Sequence, residues 1–297
     1  MSSSLGITTS GSTTPLRVRP FRPDDQDAVL ELIAADRVPG QPRPTPQMLD
    51  EALASRSPFD GSWWEELEPP VTEVAHDRRG VLRGVVSSAR RPRDGAGVIL
   101  WLHCREDPTV AGFLISHVLA RLGSGTVHAF EFASALGLGL EALPVRHRPV
   151  TRRALEDTGF TGHDLWRYMR AELPITGLPH LTDYTVSDCE EGRRIEVVRA
   201  GETVAEAVIG DPVARIGLLW WISVEPHARR KGLGLALLGT ALHLLTDSGA
   251  HEVILYVDDD APGDPARDRT AANRLYERAG FVEVDRLFSF TRDPRGV

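Results

Sequence analysis

Two stretches of this chain end alike: Arg-Ala-Leu-Glu-Asp-Thr-Gly-Phe at residues 153–160 and Arg-Leu-Tyr-Glu-Arg-Ala-Gly-Phe at 274–281. Each closes a helical apolar stripe with a glycine stop and reopens on an aromatic residue, so the chain reads as two passes through one supersecondary plan. In the first pass the spacing predicts a strand at Leu16–Arg19, helices over about 24–36 and 46–54, strands at Val71–Ala75, Val81–Ser87 and Val98–His103, a helix over 109–121, a strand at Val127–Phe132, a helix over 151–157 and a last strand at Leu165–Ala171. The second pass starts near Tyr184 and predicts strands at Arg194–Arg199, Thr203–Ile209 and Gly217–Val224, a helix over 232–248, a strand at Glu252–Val257, a helix over 269–279 and a strand at Phe281–Phe290. The expected fold class is α/β, a mixed, mostly antiparallel sheet with flanking helices. The expected organisation is a disordered tail at 1–15, an N-terminal domain at 16–173, a Pro- and Gly-bearing linker at 174–183 and a C-terminal domain at 184–293.

Chemistry concentrates in Ile222-Ser-Val-Glu-Pro-His-Ala-Arg-Arg-Lys-Gly-Leu-Gly-Leu235. A strand apolar on both faces ends at Val224 and Pro226 breaks it; Arg229, Arg230 and Lys231 follow, and Gly232-Leu233-Gly234 opens a helix. The first amides of a helix have no internal partner and the helix dipole favours anions there. Two glycines let a bulky anion approach the backbone, and the basic run adds charge. Lys231 is the only lysine of the chain. The physics is that of a diphosphate cradle. No Ser or Thr follows a lysine as in a Walker loop, and the third glycine of a dinucleotide fingerprint is missing.

Val224, Arg229, Gly232 and Gly234 resemble the acetyl-CoA motif of the GNAT N-acetyltransferase superfamily, and residues 272–281 resemble its second signature. The resemblance covers about 184–291 well and 16–171 weakly; the layout is similar to tandem, two-domain members. It implies a tandem GNAT fold, acetyl-CoA as co-substrate and acetyl transfer to a primary amine of a small-molecule acceptor, with no metal. It implies that backbone groups of Ile222 and Val224 hold the pantetheine arm and acyl carbonyl, that Arg229, Arg230, Lys231, Gly232, Leu233, Gly234 and Leu235 surround the diphosphate, that Asn273 in the second signature contacts the cofactor, and that Tyr276 protonates the departing thiolate. Related proteins are commonly dimers.

Three departures matter. Leu218–Ile222 lacks the strand carboxylate that serves many members as general base, which leaves a water or one of Asp258, Asp259 and Asp260. Arg269 stands where the final helix commonly starts with asparagine. The N-terminal counterpart of the cofactor loop, residues 103–114, has lost its basic run and gained Glu106 and Asp107, so this lobe is expected not to bind acyl-CoA; His103 and Cys104 are expected to pack in the core. The second pass has only about ten residues between Tyr184 and its first long strand, so the helices that would wall an acceptor pocket are missing there. The N-terminal lobe is expected to line that pocket, with Trp63, Trp64, Trp220 and Trp221 as candidates.

Composition limits the alternatives. A net charge of -8 disfavours nucleic acid and anionic membranes, against the one competing use of Arg152–Arg153, Arg193–Arg194 and Arg229–Lys231. No apolar run reaches the roughly 18 residues of a membrane span. The Ser- and Thr-rich start lacks a secretory signal's pattern, and two distant cysteines suggest neither disulfides nor a metal site, so a cytoplasmic protein is expected. The remaining alternative is a catalytically silent CoA-binding module, favoured by the missing carboxylate and opposed by Tyr276.

Overall fold

The computed structural model describes residues 15–59, 61–258 and 268–294. The first lobe runs β1 (Arg17–Pro20), α1 (Gln26–Ala35), α2 (Pro46–Leu53), α3 (Gly61–Trp64), β2 (Val71–His76), β3 (Leu82–Arg91), β4 (Ala96–His103), α4 (Pro108–Leu122), β5 (Val127–Ala129), β6 (Leu143–Pro144), α5 (Pro149–Asp157) and β7 (Thr161–Glu172). The second runs β8 (Thr185–Cys189), β9 (Gly192–Arg199), β10 (Glu202–Val213), β11 (Ile216–Val224), α6 (Leu233–Asp247), β12 (Glu252–Val257), α7 (Thr270–Arg278) and β13 (Val282–Arg292). The repeated Gly-Phe pairs stop α5 and α7 in the same way: Gly159 and Gly280 take φ of 93° and 94°, a conformation that glycine adopts without strain.

Among the described residues the strands form one sheet, ordered β1-β2-β3-β4-β5-β13-β7-β12-β11-β10-β9-β8, with β6 beside β13. Each lobe's last strand sits in the other's territory. β13 lies between β5 and β7, and β7 lies between β12 and β13, all antiparallel. Neither lobe completes its sheet with its own residues.

Each lobe contains one parallel pair that opens into a cleft. β11 pairs with β12 only from Ile216–Glu252 to Leu219–Leu255. At that point β11 slips against β10, from Leu219 opposite Ile209 to Trp221 opposite Val208, which leaves Trp220 as an extra residue. Such a bulge bends its strand and ends regular pairing. The first lobe repeats the device: β4 and β5 pair only over Gly97–Ile99 and Val127–Ala129, and Leu100 is the extra residue against β3.

Apolar residues on α6 and α7 bury one face of the second lobe's sheet around Ile195, Ala207, Leu237 and Leu255. In the first lobe, α4 and α5 cover one face and α1 to α3 the other. On the second lobe's other face the segment between β7 and β8 carries no helix. The first lobe fills part of that place: Val38, Leu138 and Ala142 pack with Ile216, Leu218 and Ile254 in a core shared between lobes. Gln41 Nε2 donates to Tyr256 Oη at 3.0 Å and Tyr168 Oη at 3.2 Å, and Tyr256 Oη donates to Leu138 O at 2.6 Å. No described helix is long and apolar enough to cross a membrane.

Candidate active site

The loop from β11 to α6 has the geometry that its residue types suggest. Pro226–Ala228 form a single 3-10 turn, Arg230 takes φ of 63° and Gly232 φ of 80°, and α6 starts at Leu233. Among the described residues, the backbone N–H groups from Arg230 to Leu235 donate no hydrogen bond; the first amide of this stretch to be used is that of Ala236, to Gly232 O at 3.1 Å. A Cβ on Gly234 would meet only Val224 Cγ2 at 3.5 Å and Leu275 Cδ2 at 3.9 Å, ordinary contact distances. The fold therefore does not need that glycine for its own packing, and the open space lies over free amides. Arg230 and Lys231 are exposed, and Lys231 Nζ reaches His227 O at 3.3 Å. The set fits a diphosphate.

Backbone direction favours a substrate arm in the cleft. The N–H of Glu225 bonds to Val204 O at 2.9 Å, so alternation turns the groups of Ser223 and Trp221 toward β10. Those of Ile222 and Val224 then face the opposite edge, where β12 has diverged. Arg229 differs from expectation in one respect. Its Nε donates to Val224 O at 2.7 Å, so this side chain braces the strand end and takes the carbonyl assigned to a ligand.

Tyr276, on α7, is 7% exposed and packs edge-on to Phe281, with ring centroids 5.8 Å apart. Its hydroxyl makes no hydrogen bond with the described residues, and burial pushes its pKa up to about 12. It stays protonated at neutral pH and is available as a donor. Asn273 is placed otherwise than expected: it is buried, its Oδ1 accepts from Arg167 Nη1 at 2.5 Å and its Nδ2 donates to Asp258 O at 3.3 Å. Its amide ties α7 to β7 and the end of β12, so its first role is structural.

On the acceptor side, Glu206 faces Ser223 in register and Val208 faces Trp221. These residues point away from α6, because Ala205, Ala207, Ile222 and Val224 of the alternate set pack beneath that helix. Trp221 is 55% exposed, and its Nε1 donates to Glu206 Oε1 at 3.1 Å; Arg194 Nη1 donates to Oε2 at 3.3 Å. Glu206 is thus a carboxylate on the strand next to β11, on the sheet face away from α6. Reading β11 alone missed it; the signal lay in the β10–β11 register. Asp258 is paired with Arg269 at 3.1 Å, and Asp259 and Asp260 lie outside the described residues. Trp63 and Trp64 do not line this pocket. Trp64 is buried in the first lobe and donates to Ala133 O at 3.0 Å, while Trp63 stacks on Phe132. The aromatic that crosses is Phe59, whose ring lies 5.3 Å from that of Trp220, and Gly139 also packs on Trp220.

The first lobe's equivalent loop is filled by its own anions. Asp36 Oδ2 accepts from the amides of Cys104 at 2.9 Å and Arg105 at 3.2 Å. Asp107 Oδ1 accepts from those of Thr109 and Val110 at the start of α4. Glu106 accepts from Val150 and Thr151 at the start of α5 and from Arg148 Nε at 2.6 Å. The amides that would bind a phosphate already hold carboxylates. Cys104 is in the core, and burial lifts its thiol to about 11. No group of three or more metal-ligating side chains is found among the described residues.

The fold is two-lobed, and the cleft of the second lobe opens on free amides. Residues 189–283 match the family model of the acetyltransferase (GNAT) domain. The second lobe is thus similar to a GNAT domain, and the chain has the fold of tandem GNAT proteins. A mycothiol acetyltransferase of Paenarthrobacter aurescens is 39% identical over 74 residues, covering 25% of this chain and 20% of that one. Its counterpart in Clavibacter sepedonicus is 26% identical over 234 residues, 72% of this chain and 68% of the relative. The chain thus spans about a fifth of the length of the first of these relatives. A GCN5-related N-acetyltransferase structure from Sphaerobacter thermophilus superposes with a TM-score of 0.57 at 17% identity, covering 95% of this chain and 96% of that one. A tandem GNAT protein from the clavulanic acid biosynthesis pathway superposes with a TM-score of 0.58 at 14% identity, covering 95% and 100%.

Proposed function

We propose that this protein is an N-acetyltransferase that moves an acetyl group from acetyl-CoA to a primary amine of a small-molecule acceptor. The observation that carries this is the row of free amides from Arg230 to Leu235, opening on a splayed strand pair. The name of the relatives, mycothiol acetyltransferase, supports a small-molecule acceptor.

The amine approaches over the uncovered sheet face, between Phe59 of the first lobe and Trp221 of the second. Its ammonium gives a proton to Glu206, directly or through one water. The neutral nitrogen attacks the thioester carbonyl, a C–N bond forms, and charge gathers on oxygen against the N–H groups of Ile222 and Val224. The C–S bond breaks, and the thiolate takes a proton from Tyr276, which is restored by the proton still on nitrogen. The products are the acetamide, the thiol and one proton.

Calorimetric titration of acetyl-CoA into the full chain tests the reading, with a Gly234→Glu variant beside it. One site per chain, lost in the variant, is the expected result. Failure of the folded protein to bind acetyl-CoA would sink the assignment, and a second site would overturn the reading of the first lobe.

A further inference from the structure

The first lobe keeps its cleft although its phosphate end is plugged. The inner half forms a cavity of about 80 Å³, walled by Ile33, Val38, Phe130, Phe132, Leu136 and Leu140. That is roughly half the volume of a cavity known to enclose benzene. Its lining is mostly apolar, which disfavours filling by water alone.

Two polar groups in this lining point to a ligand. Trp101 lines the cavity at 3% exposure, and its Nε1–H is buried with no hydrogen-bond partner. An orphaned buried donor is expensive to leave unmade. His103, two residues along the same strand, also lines the cavity and places Nδ1 3.4 Å from Asp36 Oδ2. Nδ1 is buried there without a hydrogen bond, and the neighbouring carboxylate favours the ring proton on that nitrogen, which leaves Nε2 to offer. Burial lowers the basicity of His103, which keeps the ring neutral, with Nε2 as an acceptor.

The carboxylates nearby are already matched: Asp36 lies 3.3 Å and Glu106 2.6 Å from Arg148. Arg37 Nη1 donates to Gln41 O at 2.7 Å, a neutral partner. A cationic ligand would find no free carboxylate, and burying it unpaired would be costly.

We infer that this cavity is a second ligand site, for a small non-cationic molecule with a branched apolar body and a hydroxyl group. The hydroxyl oxygen accepts from Trp101 Nε1 and its proton goes to His103 Nε2. The site is separate from the proposed acetyl-CoA cleft and does not depend on that assignment.

The six tryptophans give six indole N–H resonances in a nitrogen-15 spectrum, and Trp101→Phe assigns the one that matters. Isobutanol is the probe, with isobutylammonium as a charged control of the same body. Isobutanol should shift the Trp101 resonance saturably, the ammonium should not, and Leu140→Phe, which fills the cavity from a partly exposed position, should abolish the shift. The other indole resonances report whether that variant is folded; if it is not, Phe132→Trp at the opposite wall replaces it. No saturable shift with isobutanol, an equal response to the ammonium, or a shift that survives filling would each overturn the inference.

Discussion

Glu206 and Tyr276 are the proposed base and acid, and substitution of Glu206 should separate chemistry from binding. Glu206→Gln keeps an acceptor for Trp221 Nε1 and loses only the charge, so acetylation should fall by about 10²-fold while acetyl-CoA affinity stays unchanged. Steady-state rates beside calorimetry check this; an equal rate would remove Glu206 from the mechanism. Burial raises the pKa of Tyr276 to about 12 and of Cys104 to about 11, from ordinary values of 10.0 and 9.0. Both groups are raised in the fold, so the stability they support is complete below about pH 9 and is lost as pH climbs through 11 and 12. Melting temperature should therefore decline from about pH 9 upward, and Cys104→Ala should delay the onset of that decline.

At the scale of an element, the start of α6 separates folding demands from binding demands. Gly232 caps the helix at φ of 80°, where a side chain is strained, so Gly232→Ala should lower stability by about 1 kcal/mol in denaturant titration. Gly234 meets no such demand, because a Cβ there makes only ordinary contacts. Gly234→Ala should leave the melting temperature within a degree or so, by the usual size of surface effects, yet weaken acetyl-CoA by about tenfold through crowding of the amides. A large stability loss at Gly234 would show that its role is structural. In the first lobe, Asp107 occupies the matching position as a helix cap, and Asp107→Ala should cost about 1 kcal/mol without creating a second acetyl-CoA site.

For the whole molecule, the exchange of β7 and β13 makes the lobes interdependent. A chain of residues 184–297 lacks β7, so β12 and β13 would lose the strand that joins them. A chain of residues 1–183 lacks β13 and exposes the edges of β5 and β7. Each half alone should aggregate or stay poorly ordered, since an unpaired apolar edge invites association. Refolding the halves together should give one complex with one acetyl-CoA site. A well-dispersed spectrum from residues 184–297 alone would contradict this account.

What the sequence by itself determined is what local chemistry encodes. Apolar period and glycine stops place most elements within a few residues, including the paired ends of α5 and α7. The loop proposed to hold the cofactor was legible because its free amides follow from a helix start and need no distant partner. Tertiary structure decided everything that depends on cross-strand register or on residues far apart in the chain. Asp36 reaches the amide of Cys104 across 68 positions, Glu206 meets Trp221 only through the pairing of β10 with β11, and Phe59 rather than Trp63 or Trp64 touches Trp220. Strand exchange belongs to the same class: β7 and β13 have the pattern of ordinary last strands, and their pattern is satisfied equally in either lobe. The choice between the two was made by packing and backbone pairing of the whole sheet, which no short stretch of residues carries.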